Sequence, residues 1–427
     1  MILTKYKLGD ILDVTRGASL SGEFYATKGE YIRLTCGNFD YQNNCFKENK
    51  SKDNLYYVGD FKPEFLMEEG DIITPLTEQA IGLLGSTAII PESGKYIQSQ
   101  DVAKIICKED LLDKDFAFYL ISSALVKQQL SAAAQQTKIR HTSPDKIKDC
   151  TVWIPELSEQ KRIGKLLRSI DRKIELNRAI NQNLEAMAKQ LYDYWFVQFD
   201  FPNENGRPYK SFGGKMVWNE KQRKYIPEYW EVKSLSNWLE IKSGFPFKSE
   251  TYKPIGRYKI ITIKNVQDGE LVTSGCDYVN DIPSRAKDYI SLQIGDRLIS
   301  LTGNCGRLCV VCEENLLLNQ RVGLLCCDAI YLEYFYNFLN SGTMRTVIDN
   351  LANGAAQANL SPVELCKTDC FIPPIDILLS YNRKVNAIRK AIVQNNQEIS
   401  QLAKQRDELL PLLMNGQVSV NSDLSDG

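Results

Sequence analysis

Residues 158–197 read SEQKRIGKLLRSIDRKIELNRAINQNLEAMAKQLYDYWFV. Within them Ile163, Leu167, Ile170, Ile174, Asn177, Asn181, Leu184, Ala188, Leu191 and Trp195 follow one another at alternating steps of four and three. Such spacing is the a/d seam of a coiled coil, a narrow apolar stripe that needs a partner helix. About 40 residues of helix would span roughly 60 Å, longer than a small β domain is wide. The partner lies in the same chain. Adding 218 to each position gives Tyr381, Val385, Ile388, Ile392, Asn395, Ile399, Leu402, Arg406, Leu409 and Leu413, the same seam kept through five heptads. Asn177 and Asn395 occupy matching positions, and a polar seam residue restricts register at a cost in stability. Pro411 and Gly416 mark the expected end of the second helix.

The duplication extends beyond the helices. Tyr31-Ile32-Arg33-Leu34-Thr35 and Asn38 match Tyr258-Lys259-Ile260-Ile261-Thr262 and Asn265, and Gly17 matches Gly244, all at an offset of 227. Further along, Gly70-Asp71 matches Gly295-Asp296, and Gln100-Asp101-Val102 matches Gln320-Arg321-Val322. Ser143-Pro144 and Ile154-Pro155 match Ser361-Pro362 and Ile372-Pro373. Collinear matches at so long a period indicate a duplicated domain and not a solenoid. In each half the part before the long helix is β-rich, with short runs such as 71–74, 86–90 and 102–106 bounded by Gly, Pro, Asn and Ser. A helix is expected from Phe116 to Leu130, matched by Tyr331 to Leu339. The predicted fold is therefore α+β: two duplicated β-rich domains, each followed by a long helix, the helices paired antiparallel so that the domains lie at opposite ends.

A chain of 427 residues with 43% hydrophobic and 25% charged residues has the balance of globular domains. No stretch approaches 18 consecutive apolar residues, and the first residues contain no uninterrupted apolar run, so neither a membrane span nor a secretory signal is expected. The formal net charge is -1. A protein that held DNA alone would usually be basic; if DNA is the ligand, positive charge is unevenly spread or a partner supplies it.

Little catalytic machinery is visible. His141 is the one histidine, which nearly excludes a His relay or a multi-His metal site. There is no Walker A loop and no GxSxG. Pro373-Pro374-Ile375 lacks the flanking residues of an adenine-methyltransferase signature and reads as a strand-to-helix joint. Cys309 and Cys312 form a CxxC, with Cys305 before it and Cys326-Cys327 after. Adjacent cysteines in a strand point apart, so buried reduced thiols are favoured over a zinc site and no metal is expected.

Two globular domains alternating with two heptad helices resemble the specificity subunits of type I restriction-modification systems, over nearly the whole chain. The resemblance is carried by the first helix start, Ile154-Pro155-Glu156-Leu157-Ser158-Glu159-Gln160-Lys161-Arg162-Ile163, and its exit, Tyr194-Trp195-Phe196-Val197-Gln198-Phe199-Asp200. It is carried further by Gly214-Lys215-Met216-Val217-Trp218 with Ile226-Pro227-Glu228-Tyr229-Trp230-Glu231-Val232. At the second helix start, Ile377-Leu378-Leu379 replaces Glu159-Gln160-Lys161. The resemblance implies a non-catalytic, cytoplasmic subunit that recognises double-stranded DNA. It also implies two methyltransferase subunits bound along the helices, with S-adenosylmethionine on the methyltransferase and no cofactor here, and motor-nuclease restriction subunits. The implied domains are target-recognition domain 1 (1–155), helical spacer 1 (156–200), a linker (201–229), target-recognition domain 2 (230–373), helical spacer 2 (374–416) and a disordered tail (417–427).

Bases are read at their edges by Arg, Lys, Asn and Gln. Loop residues of those kinds are Arg16, Lys28, Thr77, Gln79, Lys138, Arg140 and His141 in the first half, and Lys242, Lys248, Lys264, Asn304, Arg307, Asn353 and Asn359 in the second. The matched loops differ, Thr77-Glu78-Gln79 against Thr302-Gly303-Asn304, so an asymmetric bipartite target is expected. The alternatives are a coiled-coil scaffold whose β domains bind protein, favoured by the near-neutral charge, and an enzyme with an unrecognised site.

Overall fold

The computed structural model describes residues 1–41, 43–49, 53–78, 82–133, 140–352 and 358–420. It divides into two compact units, Met1–Lys173 with Gln401–Gly427, and Ile174–Ser400. The division falls within both long helices, so it does not follow the domain boundaries drawn from sequence.

In the first unit, four antiparallel strands lie in the order Ala88–Ile89, Ile72–Pro75, Val102–Cys107, Leu12–Arg16. A second sheet runs Tyr96–Ile97, Tyr31–Arg33, Tyr56–Tyr57, Tyr25–Ala26, with its first pair parallel. Strand Thr4–Lys7 pairs with Thr151–Ile154 immediately before the long helix.

The second unit repeats the design. Its main sheet runs Glu240–Ser243, Val322–Cys326, Arg297–Ser300, Leu308–Val310, again antiparallel throughout. Its second sheet contains the parallel pair Tyr258–Ile261 and Leu316–Leu318, and Glu231–Ser234 pairs with Asp369–Ile372 before the second long helix. The edges differ: Ser291–Leu292 joins Leu316–Leu318, where the first unit adds Tyr25–Ala26 beside Tyr56–Tyr57.

The repeated sequence marks have physical causes. Asn38 accepts from the backbone N–H of Thr35 at 2.9 Å and donates to the Lys47 carbonyl; Asn265 accepts from Thr262 at 2.8 Å and donates to Val272. Both asparagines are buried, and each satisfies a turn that no apolar residue could. Asp71 and Asp296 close equivalent turns by accepting from the N–H groups of Glu68 and Gln293. A Cβ at Gly17 would lie 2.2 Å from the Gln98 carbonyl oxygen, and one at Gly244 would lie 2.2 Å from that of Leu318. Only glycine permits that backbone approach. Ser143 and Ser361 cap short helices whose first residue is proline.

The long helices span Leu157–Tyr192 and Ile375–Met414. The first continues into a π turn, Asp193–Val197. In the second unit Asn177 donates to Glu398 (2.8 Å), Asn181 donates to Asn396 (2.7 Å) and Asn395 donates to Asn181 (2.9 Å), while Arg389 pairs with Glu185. Numbers rise on one helix as they fall on the other, so the pair is antiparallel. In the first unit Arg406 meets Asp171 at 2.9 Å. Seam residues Ile163, Leu167, Ile174, Val385, Ile392 and Ile399 are buried, and Ile170, Leu184, Leu191, Ile388, Leu402 and Leu409 are half-buried. Each fully buried aliphatic contributes about 1.5–3 kcal/mol relative to exposure. Ile163 and Leu167 share a core with Leu413 and Met414, and Ala188 and Tyr192 share one with Tyr381 and Val385.

Three expectations are corrected. The helix expected from Phe116 to Leu130 is two helices, Lys114–Ile121 and Ala124–Ala133. The break falls at Ser122 and Ser123; Ser122 Oγ donates to the Phe118 carbonyl and Ser123 Oγ accepts from Val126 N, side-chain bonds that compete with a continuous helix. The stretch expected as a linker folds: Met216–Asn219 and Lys224–Pro227 form an antiparallel ribbon, and Phe201 stacks on Tyr209 and Trp230. The tail expected to be disordered is packed as far as Val420, which is buried and donates its N–H to Glu159. Residues 421–427 lie outside the described residues. Cys309 and Cys312 are buried, and burial pushes the Cys312 thiol up to about 12. Among the described residues no group of His, Cys, Asp or Glu could hold a metal ion.

Candidate nucleic-acid interface

Each unit builds the same ribbon where the loop after a central strand meets the segment after the helical pair. In the first, Thr77–Glu78 pairs with Arg140–His141, and Thr142 N–H donates to the Leu76 carbonyl at 2.9 Å. In the second, Thr302 bridges Asn359, and Leu360 N–H donates to the Leu301 carbonyl at 2.7 Å. The duplication relates Thr77 to Thr302 and His141 to Asn359. The neighbouring turn is also shared, since Leu76 N–H donates to Asp101 O and Leu301 N–H donates to Arg321 O.

The side chains differ. In the first unit Thr77 Oγ1 lies 3.3 Å from Asp101 Oδ1 and 3.5 Å from His141 Nδ1. Arg16 donates to the Gln100 carbonyl at 2.8 Å, which brings it beside the same turn. His141 and Arg16 are exposed, whereas Thr77 is buried, so its hydroxyl holds Asp101 and His141 in place and does not face solvent. In the second unit the exposed side chains at the ribbon are Asn304, Asn359 and Arg321.

No helix among the described residues is long and apolar enough to cross a membrane. Residues 3–186 match the family model of the type I restriction modification DNA specificity domain. The chain is 25% identical, over 75% of its length and 73% of the relative's, to the type I restriction enzyme MjaIX specificity subunit of Methanocaldococcus jannaschii. It is 23% identical, over 76% and 81%, to the HindI specificity subunit of Haemophilus influenzae. By these matches the chain is similar to the type I restriction-modification specificity subunits. It shares its fold with the crystal structure of the type I restriction-modification S subunit from M. genitalium, at a TM-score of 0.57 and 16% identity over 97% of this chain and 96% of that one.

Of the residues singled out from the sequence, the fold brings together Arg16, Thr77 and His141 in one domain and Asn304 and Asn359 in the other. Lys28 and Lys248 are exposed but apart from those ribbons in hydrogen bonding. Three others are engaged within the domain: Lys242 pairs with Glu240 at 3.4 Å, Lys264 with Asp277 at 3.6 Å, and Arg307 donates to Gln267 at 2.5 Å. Gln79, Lys138 and Asn353 lie outside the described residues, as does the side chain of Arg140.

Sequence reasoning missed Asp101 and Arg321. Their signal was present: within the matched Gln100-Asp101-Val102 and Gln320-Arg321-Val322, the one changed residue reverses its charge.

Proposed function

We propose that this specificity subunit reads an asymmetric, bipartite sequence in double-stranded DNA and directs methyltransferase and motor-nuclease subunits to it. The observation that carries this reading is the shared ribbon with unlike side chains: Asp101 and His141 in one domain, Arg321 and Asn359 in the other. Carboxylates accept from cytosine N4, Arg donates to guanine, and Asn pairs with adenine, so equal scaffolds with these substitutions select different bases.

The subunit's part is recognition without catalysis. Two methyltransferase subunits dock along the paired helices, and S-adenosylmethionine is held by them. DNA and these partners place the assembly in the cytoplasm. Co-expression with the cognate methyltransferase in a host lacking adenine methylation, followed by single-molecule sequencing, tests this. The expected result is methylated adenines in one split, non-palindromic motif; methylation absent or independent of sequence would overturn it.

A further inference from the structure

A basic stretch lies outside both reading ribbons. Residues 205–226 hold six Lys or Arg against one Glu, in a chain of net charge -1. The folded part is the ribbon Met216–Asn219 with Lys224–Pro227 and the turn before it. Register places Trp218 opposite Tyr225, and the rings meet edge to face at 5.3 Å. That cross-strand pair stiffens a two-stranded element that would be marginal alone. The other face is anchored: Ile226 is buried, and Lys224 Nζ lies 4.1 Å from the Phe371 ring centroid.

Lys210, Lys221 and Arg223 are exposed and make no ion pair among the described residues. Lys215, by contrast, is held by Glu228 at 2.5 Å. Arg223 closes the turn between the two strands. Its φ is 49°, in the left-handed region where Gly or Asn would be cheaper.

We propose that this ribbon is a second, sequence-independent DNA contact, with Lys210, Lys221 and Arg223 against the phosphate backbone. The proposal rests on the DNA-reading function above. Duplex DNA is the occupant that the charge favours, because the remainder of the chain is net acidic and the cations lack carboxylate partners. Phosphate contacts position a protein without specifying bases, which suits an element outside both reading ribbons.

The test uses the full complex with methyltransferase. It compares wild type with a triple variant, Lys210→Gln, Lys221→Gln and Arg223→Gly, on a duplex lacking the target. Glycine relieves the strained φ, so the melting temperature should hold or rise. Binding is followed by fluorescence anisotropy across salt concentrations, and methylated adenines are mapped in parallel. Each phosphate contact contributes about 0.9 to the slope of log K against log salt, so the variant's slope should be shallower by about 2 to 3 with the methylated motif unchanged. An unchanged slope, with wild type binding DNA normally, overturns the ribbon contact alone. Loss of methyltransferase co-elution in the variant also overturns it, assigning the ribbon to an acidic protein surface. A wild-type complex without salt-dependent DNA affinity overturns the functional reading and this proposal with it.

Discussion

Arg389 and Glu333 form an ion pair at 3.3 Å with side chains 5% and 4% exposed. Glu333 also binds Arg297, Arg389 also binds Glu185, and the Tyr336 ring lies 4.6 Å from the Arg389 guanidinium. The network ties both long helices to the helix Ala329–Leu339 within one unit. Removing the carboxylate leaves two guanidinium groups buried without their shared partner. Breaking such a pair costs about 3–5 kcal/mol, so Glu333→Ala should lower the urea midpoint markedly. Lys404→Ala, whose ion pair with Glu408 is exposed, should leave it nearly unchanged.

The same carboxylate sets a pH dependence. Burial would raise the Glu333 pKa, but Arg389 and then Arg297 outweigh burial and hold it below its ordinary value of 4.5. A group depressed in the folded state stabilises fully above its unfolded value, and that stability is lost as pH falls through the folded value. Urea midpoints measured downward from pH 6 should therefore fall below about pH 4.5, and more steeply in wild type than in Glu333→Gln. Parallel profiles would contradict the assignment.

Seam depth ranks two substitutions. Ile392 is fully buried and Ile388 half-buried. A carboxylate placed in the seam without a partner is costly in proportion to its desolvation. Ile392→Asp should lower the melting temperature more than Ile388→Asp, and both should weaken methyltransferase co-elution. Equal effects would mean that the seam is misplaced.

Asp101 and Arg321 make a separable pair for specificity. Substituting Arg321 by Ala should relax one base in the second half-site, at about 1–3 kcal/mol for a lost bidentate contact. The first half-site should stay intact. Asp101→Ala should do the converse. Methylation maps of the two variants read this directly; relaxation of the same half by both would refute the division of labour.

The duplication makes the scaffold legible in the sequence. Gly17 with Gly244, and Asn38 with Asn265, recur because each answers a backbone constraint that local sequence reveals. The heptads located both long helices for the same reason. Glu333 and Arg389 were not legible, because nothing in a lone Glu among aromatics or in an Arg-Lys pair says which partner the tertiary fold will bring near. The linker expectation failed at 216–227, where burial of Ile226 and the Phe201–Trp230 stack outweigh a loop-like composition. In the candidate interface residue type pointed to Arg16, His141 and Asn359, but only the fold showed that Thr77 is buried and that Arg307 is turned onto Gln267.

The central claim is that each β-rich domain reads its own half of a split target. Exchange of residues 1–155 for the corresponding domain of a specificity subunit with a different target tests it most directly. The cut after Pro155 keeps strand Thr4–Lys7 with its partner Thr151–Ile154. Methylated adenines are mapped by single-molecule sequencing with the cognate methyltransferase present. The account predicts a motif whose first half is the donor's and whose second half is unaltered. A motif changed in both halves, or in neither, would contradict it.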